Sequence, residues 1–194
     1  MTAADPRFPE IRIACPDWMP DFVGVDRPYS SDDARMRLAI GLARENVDRG
    51  TGGPFGAAVF EVDSGRLVGA GVNMVVPARN AVLHAEIVAF MMAQQRVGAY
   101  SLAAGQLPAH ELFTSCEPCA MCLGATLWSG VGRVVWAATR EDANRIAFDE
   151  GPVFPSSYEY LRQRGIEFRG GLLRDEGRAV LERYQRAGGD IYNG

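Results

Sequence analysis

The sequence predicts an α/β protein, a three-layer α/β/α sandwich whose central mixed sheet has five strands covered by helices on both faces. Three observations carry this expectation. Two apolar, β-rich runs flank a Ser64-Gly65 turn, so the first strands pair as a hairpin. Beyond them, strand-like and helix-like runs alternate, as in sheets whose connections cross over through helices. Finally, 194 residues with 47% hydrophobic content are enough for one domain with its own core.

Element by element, residues 1–31 read as an irregular N-terminal extension, with Pro6, Pro9, Pro16, Pro20 and Pro28 and little periodicity; Trp18, Met19 and Phe22 suggest that it docks. The domain proper covers residues 32–194. Its first helix is predicted over Asp32 to Asp48, with Ser31 as N-cap, acids in the first turn, and Ala34, Leu38, Leu42 and Ala43 at helical spacing. The hairpin occupies Pro54 to Val76. A second helix fits His84 to Arg96, a strand Glu111 to Ser115, and a third helix Cys119 to Ser129. A strand over Arg133 to Arg140 follows, then helices over Glu141 to Phe148 and Ser156 to Gly165, a strand over Ile166 to Leu173 and a last helix over Arg174 to Gly188.

Composition excludes several chemistries. All 20 basic residues are arginine, so Schiff-base and lysine-nucleophile mechanisms are ruled out. A net charge of -4 lacks the basic excess that favours nucleic acid, which is not expected as a partner. No apolar run reaches the ~18 residues that span a bilayer and no charged-then-apolar leader opens the sequence, so a cytoplasmic protein with no membrane partner is expected. Three of the four cysteines lie within Cys116 to Cys122, which suits a metal or redox site better than a disulfide framework.

Cys119 and Cys122 stand three apart at a helix start, behind Pro118, so both thiols project from one side of a first turn. Such a pair clamps a metal or forms a redox couple. Zinc would accept these thiolates and an imidazole, with the fourth position open to water. Of the two histidines, His84 is the better third ligand, because its segment HAE also opens a helix. A closed structural site with Cys116 as fourth ligand and a thioredoxin-like pair remain the alternatives. Residues two apart in a regular helix do not share a face, so His84 and Glu86 must both sit at an irregular first turn to act together; the polar stretch PARN, Pro77 to Asn80, is read as a loop that permits this.

H-x-E followed by P-C-x-x-C is the signature of zinc-dependent nucleobase deaminases. With it the sequence resembles the cytidine deaminase-like superfamily, and within it the bacterial guanine deaminases, through GGPFGAAVF (Gly52 to Phe60), GVN (Gly71 to Asn73), HAEI (His84 to Ile87), TSCEPCAMCLGA (Thr114 to Ala125) and FDEGP (Phe148 to Pro152). The resemblance implies a cytidine deaminase-like fold and one zinc ion per chain held by His84, Cys119 and Cys122. It implies Glu86 as proton shuttle, Glu150 as a second acid that binds substrate and assists proton transfer, and substrate contacts from Asn73, Phe55, Ala85, Trp128 and Tyr192, the last on a C-terminal tail that closes over the site. It further implies a small nucleobase as substrate, guanine before ammeline, cytosine, a nucleoside or a transfer-RNA adenosine, and assembly as a homodimer. A non-catalytic zinc module is the reading from another class; Glu86 argues against it, since a structural site has no need of an acid beside its open position.

Overall fold

The computed structural model describes residue 7, residues 10–24 and residues 28–193; the rest of the predicted extension, with Pro6 and Pro9, and Gly194 of the tail lie outside the described residues. The elements in chain order are α1 (Met19–Val23), α2 (Asp32–Asp48), β1 (Gly56–Glu61), β2 (Leu67–Val72), α3 (Val75–Ala78), α4 (Ala85–Val97), β3 (His110–Cys116), α5 (Ala120–Ser129), β4 (Arg133–Ala138), α6 (Arg140–Asn144), α7 (Pro155–Gln163), β5 (Glu167–Arg169) and α8 (Arg174–Arg186). The five strands form one sheet in the order β2-β1-β3-β4-β5. β1 is antiparallel to both β2 and β3, and β3, β4 and β5 run parallel. The expected mixed sheet covered on both faces is therefore the fold of this chain.

Period-two alternation in the strands divides the core. Ala58 and Phe60 of β1, Phe113 of β3 and Val135 of β4 face α2 and α8, where they pack with Met36, Ile40 and Val180. Ala57 and Val59, Leu112 and Val134 face the other way, against Ala85 and Ala89 of α4, Leu123 of α5 and Leu161 of α7. Every residue of β3 is buried, as a central strand covered on both faces requires. At the end of the sheet away from Cys116, the fully buried Glu111 accepts from Arg35 and, at 2.8 Å, from Arg133, tying α2 to β3 and β4. Among the described residues, no helix is long and apolar enough to cross a membrane.

Three local expectations need correction. The stretch read as irregular contains α1, whose Met19 and Val23 join the core, with Trp18 and Phe22 packed against it. The PARN segment begins inside the short helix α3, closed by Arg79 in the left-handed region at φ 50°. The last strand has three residues rather than eight: it ends at Arg169, ahead of Gly170 and of Gly171, whose backbone is in the left-handed region at φ 79° and breaks the extended run.

Candidate active site

The site lies past the carboxyl end of β3, where the first turns of α4 and α5 meet. His84 is the N-cap of α4, with extended backbone (ψ 157°), and Cys119 is the N-cap of α5 (ψ 173°). Because each cap residue is still outside its helix, it can share a direction with a residue two or three further on. His84 faces the site together with Glu86, and Cys119 together with Cys122. α4 reaches this position by packing closely on β2: a Cβ at Gly71 would lie 2.3 Å from the Ala85 carbonyl oxygen, so only glycine admits the approach.

The donor atoms of His84, Cys119 and Cys122 all lie within 4.8 Å of one another, a group that could hold one metal ion. Nδ1 of His84 is the nitrogen that faces the thiols, 3.5 Å from Cys119 Sγ. One imidazole and two thiols are a soft N/S donor set with a position left open, which fits catalytic zinc. The protonation pattern agrees with a cation site. The Cys119 thiol is lowered to about 4, first by a hydrogen bond from Cys122, with His84 adding to it. Cys122 is held well above its ordinary value by that same sharing, and by burial. A dication would displace these shared protons.

Glu86 is buried beside this group. Its Oε1 accepts from Thr114 Oγ1 at 3.2 Å and its Oε2 from the Cys122 thiol at 3.4 Å. Burial, and then the negative charge of Cys119, raise its pKa above the usual carboxylate range. Glu150 is also buried and is raised to about 8 by burial, then by Cys119 and Glu86. Its main-chain oxygen accepts from Ala120 N at 2.9 Å, which ties the FDEGP loop to the first turn of α5.

Asn73 enters from the end of β2. Its main-chain N–H donates to Phe55 O at 3.0 Å and its Oδ1 accepts from Val75 N at 3.3 Å, while Nδ2 is buried without a partner. Phe55 lies on the same wall, edge-on to Phe148 at 5.1 Å. The C-terminal tail covers the opening from the same chain: Tyr192 packs on Phe148 at 5.0 Å and 6.5 Å from the His84 ring, and Asn193 exchanges hydrogen bonds with the main chain of Asp149 at 2.8 and 3.1 Å.

Of the residues singled out from sequence, the structure thus brings His84, Glu86, Cys119, Glu150, Asn73, Phe55 and Tyr192 onto one cavity, with Cys122 directly beneath. Two do not reach it. Trp128 is 77% exposed, because the inward stripe of α5 runs through Cys122, Leu123, Thr126 and Ser129 and leaves Trp128 on the outer face. The Ala85 side chain is fully buried in the core between α4 and the sheet rather than lining the cavity. Cys116, the spare thiol, points elsewhere and donates to Thr139 O at 3.6 Å.

Three contributors escaped the sequence reading. Thr114 holds Glu86; Glu117 lines the cavity while accepting from Arg140 at 2.7 Å and Tyr158 at 2.6 Å; Asn193 lines it from the tail. Thr114 and Glu117 sit inside TSCEPCAMCLGA and Asn193 follows Tyr192 in the C-terminal tail, but nothing in their spacing indicates that they face the site.

Fold and site together define a zinc-binding deaminase. The family model for the cytidine and deoxycytidylate deaminase zinc-binding region matches residues 29–138, and the chain belongs to that family. A guanine deaminase of Bacillus subtilis is 38% identical over 69% of this chain and 81% of its own length. The solved structure of a guanine deaminase from Nitrosomonas europaea superposes with a TM-score of 0.87 at 44% identity, covering 91% of this chain and 97% of that one. A solved relative in complex with 8-azaguanine, 43% identical with a TM-score of 0.85 over 96% of this chain and 98% of that one, carries an Asn→Gln substitution. A second variant of that relative, Glu→Asp, also binds 8-azaguanine; its altered asparagine and glutamate are separated along the sequence by the same number of residues as Asn73 and Glu150 here.

Proposed function

We propose that this protein deaminates guanine hydrolytically, guanine and water giving xanthine and ammonia, with His84, Cys119 and Cys122 holding one zinc ion. The observation that carries the choice of base is the pairing of Asn73 and Glu150 across the cavity. Asn73 presents an unpartnered, buried amide donor and Glu150 a buried carboxyl. A guanine edge offers a carbonyl acceptor and N–H donors together, so an amide donor beside an acid matches it. The asparagine and glutamate altered in the relative that binds 8-azaguanine support the same pair.

Zinc bound by one imidazole and two thiolates supplies a Lewis acid that makes water ionise near neutral pH. Glu86 then has the proton work: it takes a proton from the attacking water and delivers it to the ring nitrogen next to the carbon bearing the amino group, then takes the remaining proton of the added hydroxyl, which becomes the carbonyl, and passes it to the amino group, which departs as ammonia. Thr114 orients its carboxyl for each transfer. Glu150 binds the base and assists the transfer. Phe55 and Tyr192 bound the ring, and the tail excludes bulk water.

The test is ammonia release by purified, zinc-loaded protein from guanine, ammeline, cytosine, adenosine and guanosine. Preference for guanine is expected; no release from guanine at full zinc occupancy overturns the assignment. A cytoplasmic homodimer completes the proposal. The dimer is supported by the exposed Trp128 on α5 and by a groove whose lining includes Leu123, Leu127 and Tyr160, apolar surface of the kind that pairs with another copy. Sedimentation of a monomer at micromolar concentration would count against it.

A further inference from the structure

The N-terminal segment is connected to the substrate pocket by an unbroken chain of hydrogen bonds. Trp18 caps α1 with its ring edge-on to Phe22 at 5.8 Å and the Arg49 guanidinium 5.5 Å above it. Its indole Nε1–H donates to Thr51 Oγ1 at 3.1 Å, and Thr51 Oγ1–H donates to Asn46 Oδ1 at 2.7 Å. Asn46 is fully buried near the end of α2. Both protons of its amide are used, one on Gly53 O at 2.8 Å and one on Asn73 O at 2.9 Å. This side chain therefore clamps the backbone of the GGPF loop to the backbone of Asn73.

Asn73 has little freedom left in this grip. A Cβ at Gly52 would lie 2.0 Å from Asn73 O and 2.7 Å from Asn46 Nδ2, so the loop passes as close as glycine permits. A Cβ at Gly53 would lie 2.6 Å from the Tyr192 hydroxyl and 3.0 Å from Asn73 Oδ1. The main-chain oxygen of Asn73 is fixed by Asn46, its N–H by Phe55 and its Oδ1 by Val75, so the direction of the free Nδ2 follows from those three anchors. Asn46 is itself oriented by Thr51: the Thr51 hydroxyl donates to Oδ1, so the amide must present its N–H₂ to the two carbonyls.

We infer that Asn46, Thr51 and Trp18 are positioning residues for Asn73, so that the N-terminal segment sets the aim of the amide that recognises the base. Trp18 lies outside residues 29–138, the region matched by the family model. The inference rests on the substrate contact assigned to Asn73 above. These three residues do no chemistry; a change in any of them acts on binding of the base through Asn73.

The experiment is a set of double-mutant cycles on the full-length, zinc-loaded protein. Thr51→Val removes the shared hydroxyl without changing shape, Trp18→Phe removes the indole donor while keeping a smaller aromatic ring, and each is made in the parent and in an Asn73→Ala background. KM and kcat for guanine and the Kd of 8-azaguanine are measured. One misdirected hydrogen bond corresponds to about three- to tenfold in affinity. Thr51→Val is therefore expected to raise KM and Kd by about that factor, with kcat within about twofold. Trp18→Phe moves them in the same direction by less, and neither has any effect once Asn73 is alanine. Equal effects of Thr51→Val in both backgrounds, or none in the parent, overturn the inference while leaving the deaminase assignment intact. If Asn73→Ala changes neither KM nor Kd, the substrate contact itself falls and this inference with it.

Discussion

Replacing Glu86 with glutamine isolates the proton work from everything else at the site. Glutamine has the same shape, its carbonyl can accept from Thr114 Oγ1 as Oε1 does at 3.2 Å, and its amide faces the Cys122 sulfur where Oε2 lies at 3.4 Å. Folding and zinc binding are therefore retained. Removing a carboxyl that is only 6% exposed, and flanked by two thiols and Glu150, also relieves a desolvation cost. The thermal midpoint is accordingly expected to stay level or rise. Turnover should collapse. General acid–base catalysis contributes about 10²- to 10⁴-fold, and a residue that moves protons at more than one step belongs in the upper half of that range. A fall in kcat of about 10³-fold or more, about 4 kcal/mol in the barrier, is expected in an ammonia-release assay, with zinc at one ion per chain by elemental analysis. Turnover within about tenfold of the parent at full zinc would refute the proton-shuttle reasoning.

Three further outcomes follow from the geometry. Cys119→Ser should lose zinc and activity whereas Cys116→Ser keeps both, because Cys116 Sγ donates to Thr139 O and stands outside the donor group; equal losses by elemental analysis would restore a four-ligand site. Gly71→Ala places a Cβ 2.3 Å from the Ala85 carbonyl oxygen and must push α4 off the sheet. It should cost about 1–3 kcal/mol in urea unfolding and lower kcat through displacement of His84 and Glu86. Asp142, whose carboxylate caps Thr139 at 3.0 Å and receives Arg174 Nε at 2.8 Å, is held down to about 2, first by Arg174. A depressed folded pKa gives stability that is complete above the ordinary carboxylate value of about 4 and is lost as pH falls through about 2. Asp142→Asn should therefore flatten the acid limb of a stability–pH curve, and an unchanged limb would contradict the assignment.

What could be read from sequence was what is local. Ser31 capping α2, the apolar β-rich runs on either side of Ser64-Gly65, and Pro118 ahead of Cys119 each express themselves within a few residues, and the corresponding elements stand where expected. The proximity of His84, Cys119 and Cys122 was legible because each is anchored to a helix start that its own neighbours specify. Trp128 was misplaced for the complementary reason: its motif names the helix, but which face of α5 turns inward depends on packing against α4 and α7, which local spacing does not encode. α1 was missed because Pro16 and Pro20 read as breakers, whereas Pro20 occupies the first turn, where its missing N–H costs nothing. Glu117 was invisible because its partners, Arg140 and Tyr158, are 23 and 41 residues away.

The site concentrates groups that would repel one another in isolation. Glu86, Glu150 and the two thiols are buried within one cavity and its floor, with His84 beside them. Their burial is tolerable because the chain places the first turns of α4 and α5 beneath them, where the partial positive charge of a helix N-terminus favours anions. That contribution is about 0.3–1 kcal/mol per group, too small to offset the desolvation of several buried acids at several kcal/mol each. A divalent cation held by the His-Cys-Cys group would supply the larger part. It follows that stripping the metal should weaken the fold around this end of the sheet more than elsewhere. Hydrogen exchange with and without chelator is the direct measurement: protection should fall at the first turns of α4 and α5 and in the Glu150 loop, while β1 and β3 stay protected. Uniform loss across the sheet, or none at the helix starts, would show that the charges are balanced by something other than the metal.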